Sequence, residues 1–314
     1  MRMVSFQDAW AIYSRAQTAG LLPAAPPPVR PRAVSGVLDA VVQGGIKGVV
    51  LDAYGVLHTG SGPFPFALEA VAALKAQGMP VLVVTNDVTH PPAQVAARLQ
   101  AMGYAIGPED VISGRSLLPE VLADEQNRSD ALPGSWAVLA TDPDSVCGVL
   151  QGCVPAPWSD PEALDACAGF LFIDTNSWPE RGPEEGVLRA SLERRPRPII
   201  LCNPDVTCPY RGALSLEPGF VAFPWAMDIP GVRVIGLGKP YPGVYAMVAE
   251  TFAARGVARD HILCVGDSPH TDVLGARSNG MKALLVQSGL LAGRAMESYC
   301  EASGLWSDFT SEHL

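Results

Sequence analysis

Four times this chain runs an unbroken apolar stretch straight into a polar residue: "GVVLD" (48–52), "PVLVVTN" (80–86), "HILCVGD" (261–267) and "KALLVQSG" (282–289). None alternates apolar with polar, so none can lie on a sheet with one wet face. A short run that is apolar on both faces reads as a strand covered from both sides, as in a parallel sheet between two helical layers. The segments between supply the helices. "ALEAVAALKAQG" (67–78) closes on glycine, "PPAQVAARLQAMG" (91–103) opens on proline, and "GVYAMVAETFAARG" (243–256) and "TDVLGARSNG" (271–280) continue the pattern. The expectation is a Rossmann-like, doubly wound α/β fold with ligands at the carboxyl ends of its parallel strands.

Between roughly 133 and 232 the character changes. "WAVLAT" (136–141), "GFLFIDT" (169–175) and "PIILCNPD" (198–205) read as three more strands, flanked by the linker-like "NRSDALPGS" (127–135) and "MDIPG" (227–231). This predicts a second α/β unit, residues 133–232, inserted into a core of 34–132 and 233–314. Trp136, Trp158 and Trp178 read as packing residues of that insert. Residues 6–21 predict a short amphipathic helix, followed by the proline-rich connector "PAAPPPVRPR" (23–32), so that 1–33 form an arm. Two uses of the arm stay open, packing on the core or a contact between copies in a homodimer.

The formal net charge is −10 over 314 residues, which argues against nucleic acid or an anionic membrane as partner. An anionic small molecule stays admissible, because a bound metal ion inverts the local sign. Seven cysteines form no C-x-x-C pair, and "MRMVSFQDAW" lacks the apolar core of an export signal. Reduced thiols and a cytoplasmic location are the expectations.

Polar residues gather where the strands end: Asp52, Thr85 with Asn86, and Asp267, joined by Lys239 in "GLGKP" and Asp272 in "GDSPHTD". Any one of them has an ordinary explanation as a helix cap or a surface residue. Together they describe a site. Asp52 and Asp267 offer hard oxygen ligands suited to Mg²⁺, while Thr85, Asn86 and Lys239 can hold phosphoryl oxygens. Asp52 can then attack phosphorus and divide the displacement into two easier steps. His58, after a turn, reads as a satisfied polar side chain, and His270 as a solvent-facing one. Cys202 and Cys208 read as buried thiols. Asn203, Asp205 and Arg211 are the candidates of the insert for facing a substrate.

"DAYGVL", "VVTN", "GKP" and "GDSPHTD", in that order, resemble the four motifs of the haloacid dehalogenase (HAD) superfamily. The long insert and "CNPD" (202–205) resemble its subfamily IIA, the branch of nitrophenylphosphatases and sugar- or nucleotide-phosphate phosphatases. The resemblance implies a HAD core with an inserted α/β cap domain that closes over the site. It implies Asp52 as nucleophile and metal ligand, the backbone carbonyl of Tyr54 and Asp267 as further ligands, and Asp272 either touching the metal or one layer behind it. Thr85 and Lys239 would hold phosphate, with Lys239 also offsetting charge at the nucleophile. Asn86, Asn203 and Asp205 complete the substrate-binding expectation.

One position departs from the family pattern. Tyr54 stands where family phosphatases carry the carboxylate that protonates the leaving oxygen and later deprotonates water. A phenol donates a proton but is a poor base at neutral pH. Slow turnover and a strong preference for stable leaving groups are therefore expected. Haloacid dehalogenases share the Asp-x-Tyr-Gly arrangement but use no metal, which leaves the acidic "GDSPHTD" unexplained. A phosphatase-like hydrolase acting on a small phosphorylated metabolite with Mg²⁺ is the favoured reading. A 2-haloacid dehalogenase and a catalytically silent phospholigand binder are the alternatives.

Overall fold

The computed structural model describes residues 2–177 and 184–314, so Trp178 lies outside the described residues. The described strands, in chain order, are β1 (Arg32–Ala33), β2 (Gly48–Leu51), β3 (Val81–Thr85), β4 (Val111–Ser113), β5 (Trp136–Leu139), β6 (Cys153–Pro155) and β7 (Gly169–Phe172). They continue with β8 (Pro198–Leu201), β9 (Thr207–Tyr210), β10 (Ala213–Leu216), β11 (Arg233–Gly236), β12 (Ile262–Gly266), β13 (Lys282–Val286) and β14 (Phe309–Ser311). The larger sheet has the order β1-β14-β13-β12-β2-β3-β4, and every pairing in it is parallel.

The apolar runs are unbroken because each strand feeds two cores. Val49, Leu51, Val81, Val83, Leu263 and Val265 enter one buried cluster, while Val50, Leu82, Val84, Ile262 and Cys264 enter the cluster on the opposite face. Burying a Val or Leu side chain fully contributes roughly 1.5–3 kcal/mol, so a polar residue at any of these positions would oppose folding. Chain order reverses between β2 and β12, which lie side by side with Leu51 opposite Val265. At such a reversal the loops leaving the two strands diverge and open a crevice.

The second sheet has the order β11-β8-β7-β5-β6, again all parallel, and β9 and β10 form an antiparallel hairpin. Two strands fall outside the predicted division of the chain. Arg233–Gly236, assigned to the core, pairs with β8 in the second sheet, and Arg32–Ala33, assigned to the arm, forms the edge of the large sheet beside β14. Both are too short for their periodicity to show, and only pairing places them. Trp136 is buried as expected, whereas Trp158 is 37% exposed and belongs to the surface.

The arm packs within the chain. Helix α1 (Phe6–Thr18) is capped by Ser5, whose hydroxyl accepts from the Asp8 backbone N–H at 3.1 Å. Its buried residues Phe6, Ala9, Tyr13 and Ala16 recur at helical spacing and form one stripe. Phe6 packs on the core side against Tyr299, while Ala9, Tyr13 and Ala16 join the cluster of the second sheet. Gln17 donates to the Ser303 carbonyl on one side and Arg15 pairs with Asp228 on the other. The helix therefore straddles both units.

His270 is a correction. The sequence reading put it in solvent, yet it is fully buried, stacked on Tyr13 at 4.8 Å and edge-on to Trp10 at 4.6 Å. Neither ring nitrogen has a hydrogen-bond partner among the described residues, and burial pushes its pKa down to about 3. An unpaired buried polar group costs on the order of 1–3 kcal/mol. His270→Phe, which keeps a ring stacked on Tyr13 and edge-on to Trp10, should therefore stabilise the protein at neutral pH. Its advantage should widen as pH falls below 6.5, where the unfolded histidine takes up a proton that the folded one refuses. Denaturant titrations of both proteins at several pH values measure this; an advantage that shrinks on acidification contradicts it.

Candidate active site

At the crevice, Asp52 follows β2 directly and Asp267 follows β12 directly, so two carboxylates emerge from neighbouring strands. The Asp52 backbone N–H still donates to Val265 at 2.9 Å, which holds the two strand ends in register. Asp272 comes from a single π-turn (Pro269–Val273) leading into the helix Leu274–Ser278. One carboxylate oxygen from each of the three lies within 4.8 Å of the others.

Lys239, brought in after β11, reaches between them. Its Nζ lies 2.6 Å from Asp52 Oδ1 and 2.7 Å from Asp272 Oδ1, and all three side chains are nearly inaccessible. Burial opposes the lysine's charge, but Asp272, Asp52 and Asp205 outweigh it and hold the ammonium firmly protonated. One lysine does not balance this many acids. Burial, helped by Asp272, pushes Asp52 up to about 7 despite the lysine, and burial with Asp52 and Asp272 raises Asp267 well above the carboxylate range.

The free oxygens are informative. Asp52 Oδ1 also accepts from the Ala53 N–H, Asp267 Oδ2 accepts from the Leu290 N–H, and Asp272 Oδ2 accepts from the Ser268 N–H. Asp52 Oδ2, Asp267 Oδ1 and the Tyr54 carbonyl carry no hydrogen bond from a described residue. An all-oxygen donor set with excess negative charge fits a hard divalent cation. Gly55 makes this approach possible. It sits at φ +84°, and a Cβ there would overlap the Asp267 carboxylate.

Above these residues lies a polar cavity of about 390 Å³, lined among others by Asp52, Thr85, Asn86, Asn203, Asp205 and Asp267. Thr85 ends β3, and its hydroxyl accepts from the Asp87 N–H, leaving its proton for a ligand. Asn86 is otherwise engaged than predicted. Its Oδ1 accepts from the Lys239 backbone at 2.8 Å, and its Nδ2 donates to Asp205 at 2.8 Å and to the Lys239 carbonyl at 3.0 Å. Asn203 is likewise occupied, donating to Glu217 and accepting from the Asp205 N–H. Both position neighbours. Arg211 is exposed and stacks over Tyr210, outside the cavity lining.

The Tyr54 side chain turns to another network. Its hydroxyl accepts from Arg98 Nη2 at 3.2 Å, and Arg98 Nη1 pairs with Asp87 at 3.0 Å. Burial, then Asp87, pushes the phenol above its usual range. His58 is satisfied as expected, its Nδ1 accepting from the Gly60 N–H, and burial lowers it to about 4. Cys202 and Cys208 are raised by burial and are not reactive thiolates.

Among the lining residues that the sequence did not reveal, three stand out. Arg98 looks like any polar position of an amphipathic helix, and Glu217 in "SLEPG" looks like a loop acid. Glu217 is buried, bonded by Ser215 and Asn203, and pushed by burial up to about 8. Tyr13 comes from α1, and its hydroxyl accepts from the Val206 N–H at 3.1 Å. Its only signal was an aromatic on an apolar stripe.

Two descriptions of known families match this chain: "Haloacid dehalogenase-like hydrolase" over residues 49–142 and "HAD-hydrolase-like" over residues 236–306, together more than half of it. Acid sugar phosphatase of Staphylococcus saprophyticus is 26% identical over 255 residues, covering 80% of this chain and 90% of the relative. The crystal structure of a "possible sugar phosphatase" of the HAD superfamily from Cytophaga hutchinsonii superposes with a TM-score of 0.73 at 24% identity, covering 90% of this chain and 98% of that one. A 4-nitrophenylphosphatase from Thermotoga maritima gives 0.63 at 20%, covering 87% and 96%. The order of the strand-end carboxylates, the lysine between them and these matches agree: the chain belongs to the haloacid dehalogenase-like hydrolases, in subfamily IIA.

Proposed function

We propose that this protein is a Mg²⁺-dependent phosphatase of small phosphorylated metabolites that works through a phosphorylated Asp52. The observation that carries the reading is Lys239 Nζ seated between Asp52 and Asp272, with Asp267 beside them and with Asp52 and Asp267 lining one polar cavity. A dehalogenase has no use for three converging carboxylates. The likeness to acid sugar phosphatase suggests a phosphorylated sugar or polyol as substrate.

The chain's own residues define the reaction. Lys239 and the Thr85 hydroxyl hold phosphoryl oxygens, and Lys239 favours the anionic form of Asp52 against the burial that raises it. Asp52 attacks phosphorus through one carboxylate oxygen, opposite the leaving oxygen. Asp52, Asp267 and the Tyr54 carbonyl would hold the cation, with Asp272 behind them orienting Lys239. When bound, the cation neutralises charge on the phosphoryl group. Walls from both sheets limit water at the floor, where such electrostatic contacts are strongest.

Mg²⁺ should raise the melting temperature of the wild type, because it binds the folded protein alone. Asp267→Asn should weaken that binding more than about tenfold and lower turnover with it. Calorimetric titration of Mg²⁺ checks the binding without reference to activity. A screen of 4-nitrophenyl phosphate, glycerol 3-phosphate, hexose phosphates and 2-chloropropionate, with and without chelator, checks the chemistry. Undiminished activity in excess chelator sinks the metal, and release of chloride promotes the dehalogenase. Tight phosphate binding with no turnover of any ester identifies a silent binder.

A further inference from the structure

An alkoxide leaving group needs a proton, and the cavity offers few donors. Tyr54 accepts from Arg98 and keeps its own proton, but burial and then Asp87 hold it far above its usual range, so it is a weak acid and no base for the second step. Asp87 is ion-paired with that same arginine. His58 is buried and neutral, with its Nδ1 already accepting, and it lies outside the cavity lining. Glu217 has both oxygens engaged, Oε1 by Ser215 at 2.5 Å and Oε2 by Asn203 at 2.9 Å.

Asp205 differs from all of these. It follows β8 out of the second sheet and lines the cavity that has Asp52 on its floor. Asn86 Nδ2 donates to its Oδ1 at 2.8 Å, while its Oδ2 has no partner among the described residues. The same Asn86 side chain receives the backbone N–H of Lys239, whose ammonium lies 2.6 Å from Asp52. Asp205 is thus held one side chain away from the group that touches the nucleophile, with one carboxyl oxygen left over.

We propose that Asp205 is the proton donor for the leaving oxygen, the part that Tyr54 does not play. The inference rests on the phosphatase reading above. In the first step Asp52 forms a bond to phosphorus, and the bond from phosphorus to the leaving oxygen breaks. Its electron pair stays on that oxygen, which takes the proton of Asp205 and departs as an alcohol. In the second step water attacks the phosphorus on Asp52 and gives a proton to the Asp205 carboxylate. The phosphorus–Asp52 bond breaks, and both carboxyl groups return to their starting states.

The surroundings suit such a cycle. Burial raises Asp205 to about 6, with Asp272 adding to the rise, while Lys239 and the Asn86 hydrogen bond pull it down. Asp52 on the core side, Glu217 and Cys208 on the hairpin side and Tyr13 of α1 also face it. A group near that value can be both donor and acceptor of a proton close to neutral pH.

The test compares 4-nitrophenyl phosphate, whose leaving group is stable unprotonated, with glycerol 3-phosphate, whose leaving group is not. Wild type should cleave the two at rates within about tenfold of each other. Asp205→Asn keeps an oxygen for Asn86 and should lower kcat/KM for glycerol 3-phosphate by about 10²–10⁴-fold, while changing kcat/KM for the aryl ester, which reports only the step that expels nitrophenolate, less than about tenfold. Retained aryl activity shows that the variant is folded. An equal loss of kcat/KM on both esters, or a wild type already blind to glycerol 3-phosphate, overturns the proposal. A second measurement needs no variant. The wild-type kcat/KM for glycerol 3-phosphate should fall, relative to the aryl ester, as pH rises through about 6. A constant ratio between about pH 5 and 8 overturns the proposal too. No hydrolysis of either ester by wild type, with Asp52→Asn indistinguishable from it, is the separate result that removes the phosphatase reading and this inference together.

Discussion

Asp52→Asn is expected to abolish hydrolysis, with a loss of about 10⁴-fold or more on every ester, while the protein stays folded. The loss follows from the chemistry. An amide oxygen cannot form the covalent intermediate, and removing a nucleophile typically leaves only binding and electrostatic contributions behind. The survival of the fold follows from the geometry. Asp52 sits among Asp267 and Asp272 with burial already pushing it up to about 7, so exchanging it for a neutral isostere relieves repulsion and a desolvated charge while it gives up the Lys239 contact. Release of 4-nitrophenol, together with a melting curve of the same preparation, tests both halves. Residual activity above about one part in a hundred of wild type points to a different nucleophile.

The second large effect is on stability. Lys239→Met leaves Asp52 and Asp272 facing each other without the ammonium that lies 2.6 and 2.7 Å from them. The side chains of these three residues are only 5–11% exposed, so water replaces the lysine poorly. Breaking a buried ion pair from one side costs about 3–5 kcal/mol, because the remaining charge stays desolvated. The penalty should be largest above neutral pH and shrink on acidification. In the variant the orphaned carboxylates bind protons more readily folded than unfolded, so falling pH restores part of what was lost. Denaturant midpoints of wild type and variant at two pH values read out the effect. A difference below about 1 kcal/mol, or one that grows on acidification, would show that the lysine is not the counter-ion of this cluster.

Asp205 changes what Tyr54 means. From sequence, the absent carboxylate implied slow turnover and a steep preference for good leaving groups. With a second acid held over the same floor, the proton can come from the inserted unit, and Tyr54 is released to anchor Arg98 and, through it, Asp87.

The sequence by itself determined the parts that are local. Short, β-branched apolar runs that stop at a polar residue read as strands buried on both faces, and β2, β3, β12 and β13 are such strands. The residue that ends such a run must emerge at the sheet's edge, so Asp52, Thr85 and Asp267 were legible as a group before any coordinates. Parallel strands with right-handed crossovers put all those edges on one side. What sequence could not decide is which remote segments meet there. Tyr13 lies about two hundred residues from its partner Val206, Arg98 reaches Tyr54 across a helix, and Asn86 ties Lys239 to Asp205. His270 read as a polar residue in a loop, and only the packing of α1 showed it fully buried between two aromatic rings. A side chain's periodicity reports the face it points from, whereas its hydrogen-bond partner is fixed by how separate elements dock. That docking is decided by the shape and burial of whole surfaces, and no spacing along the chain encodes it.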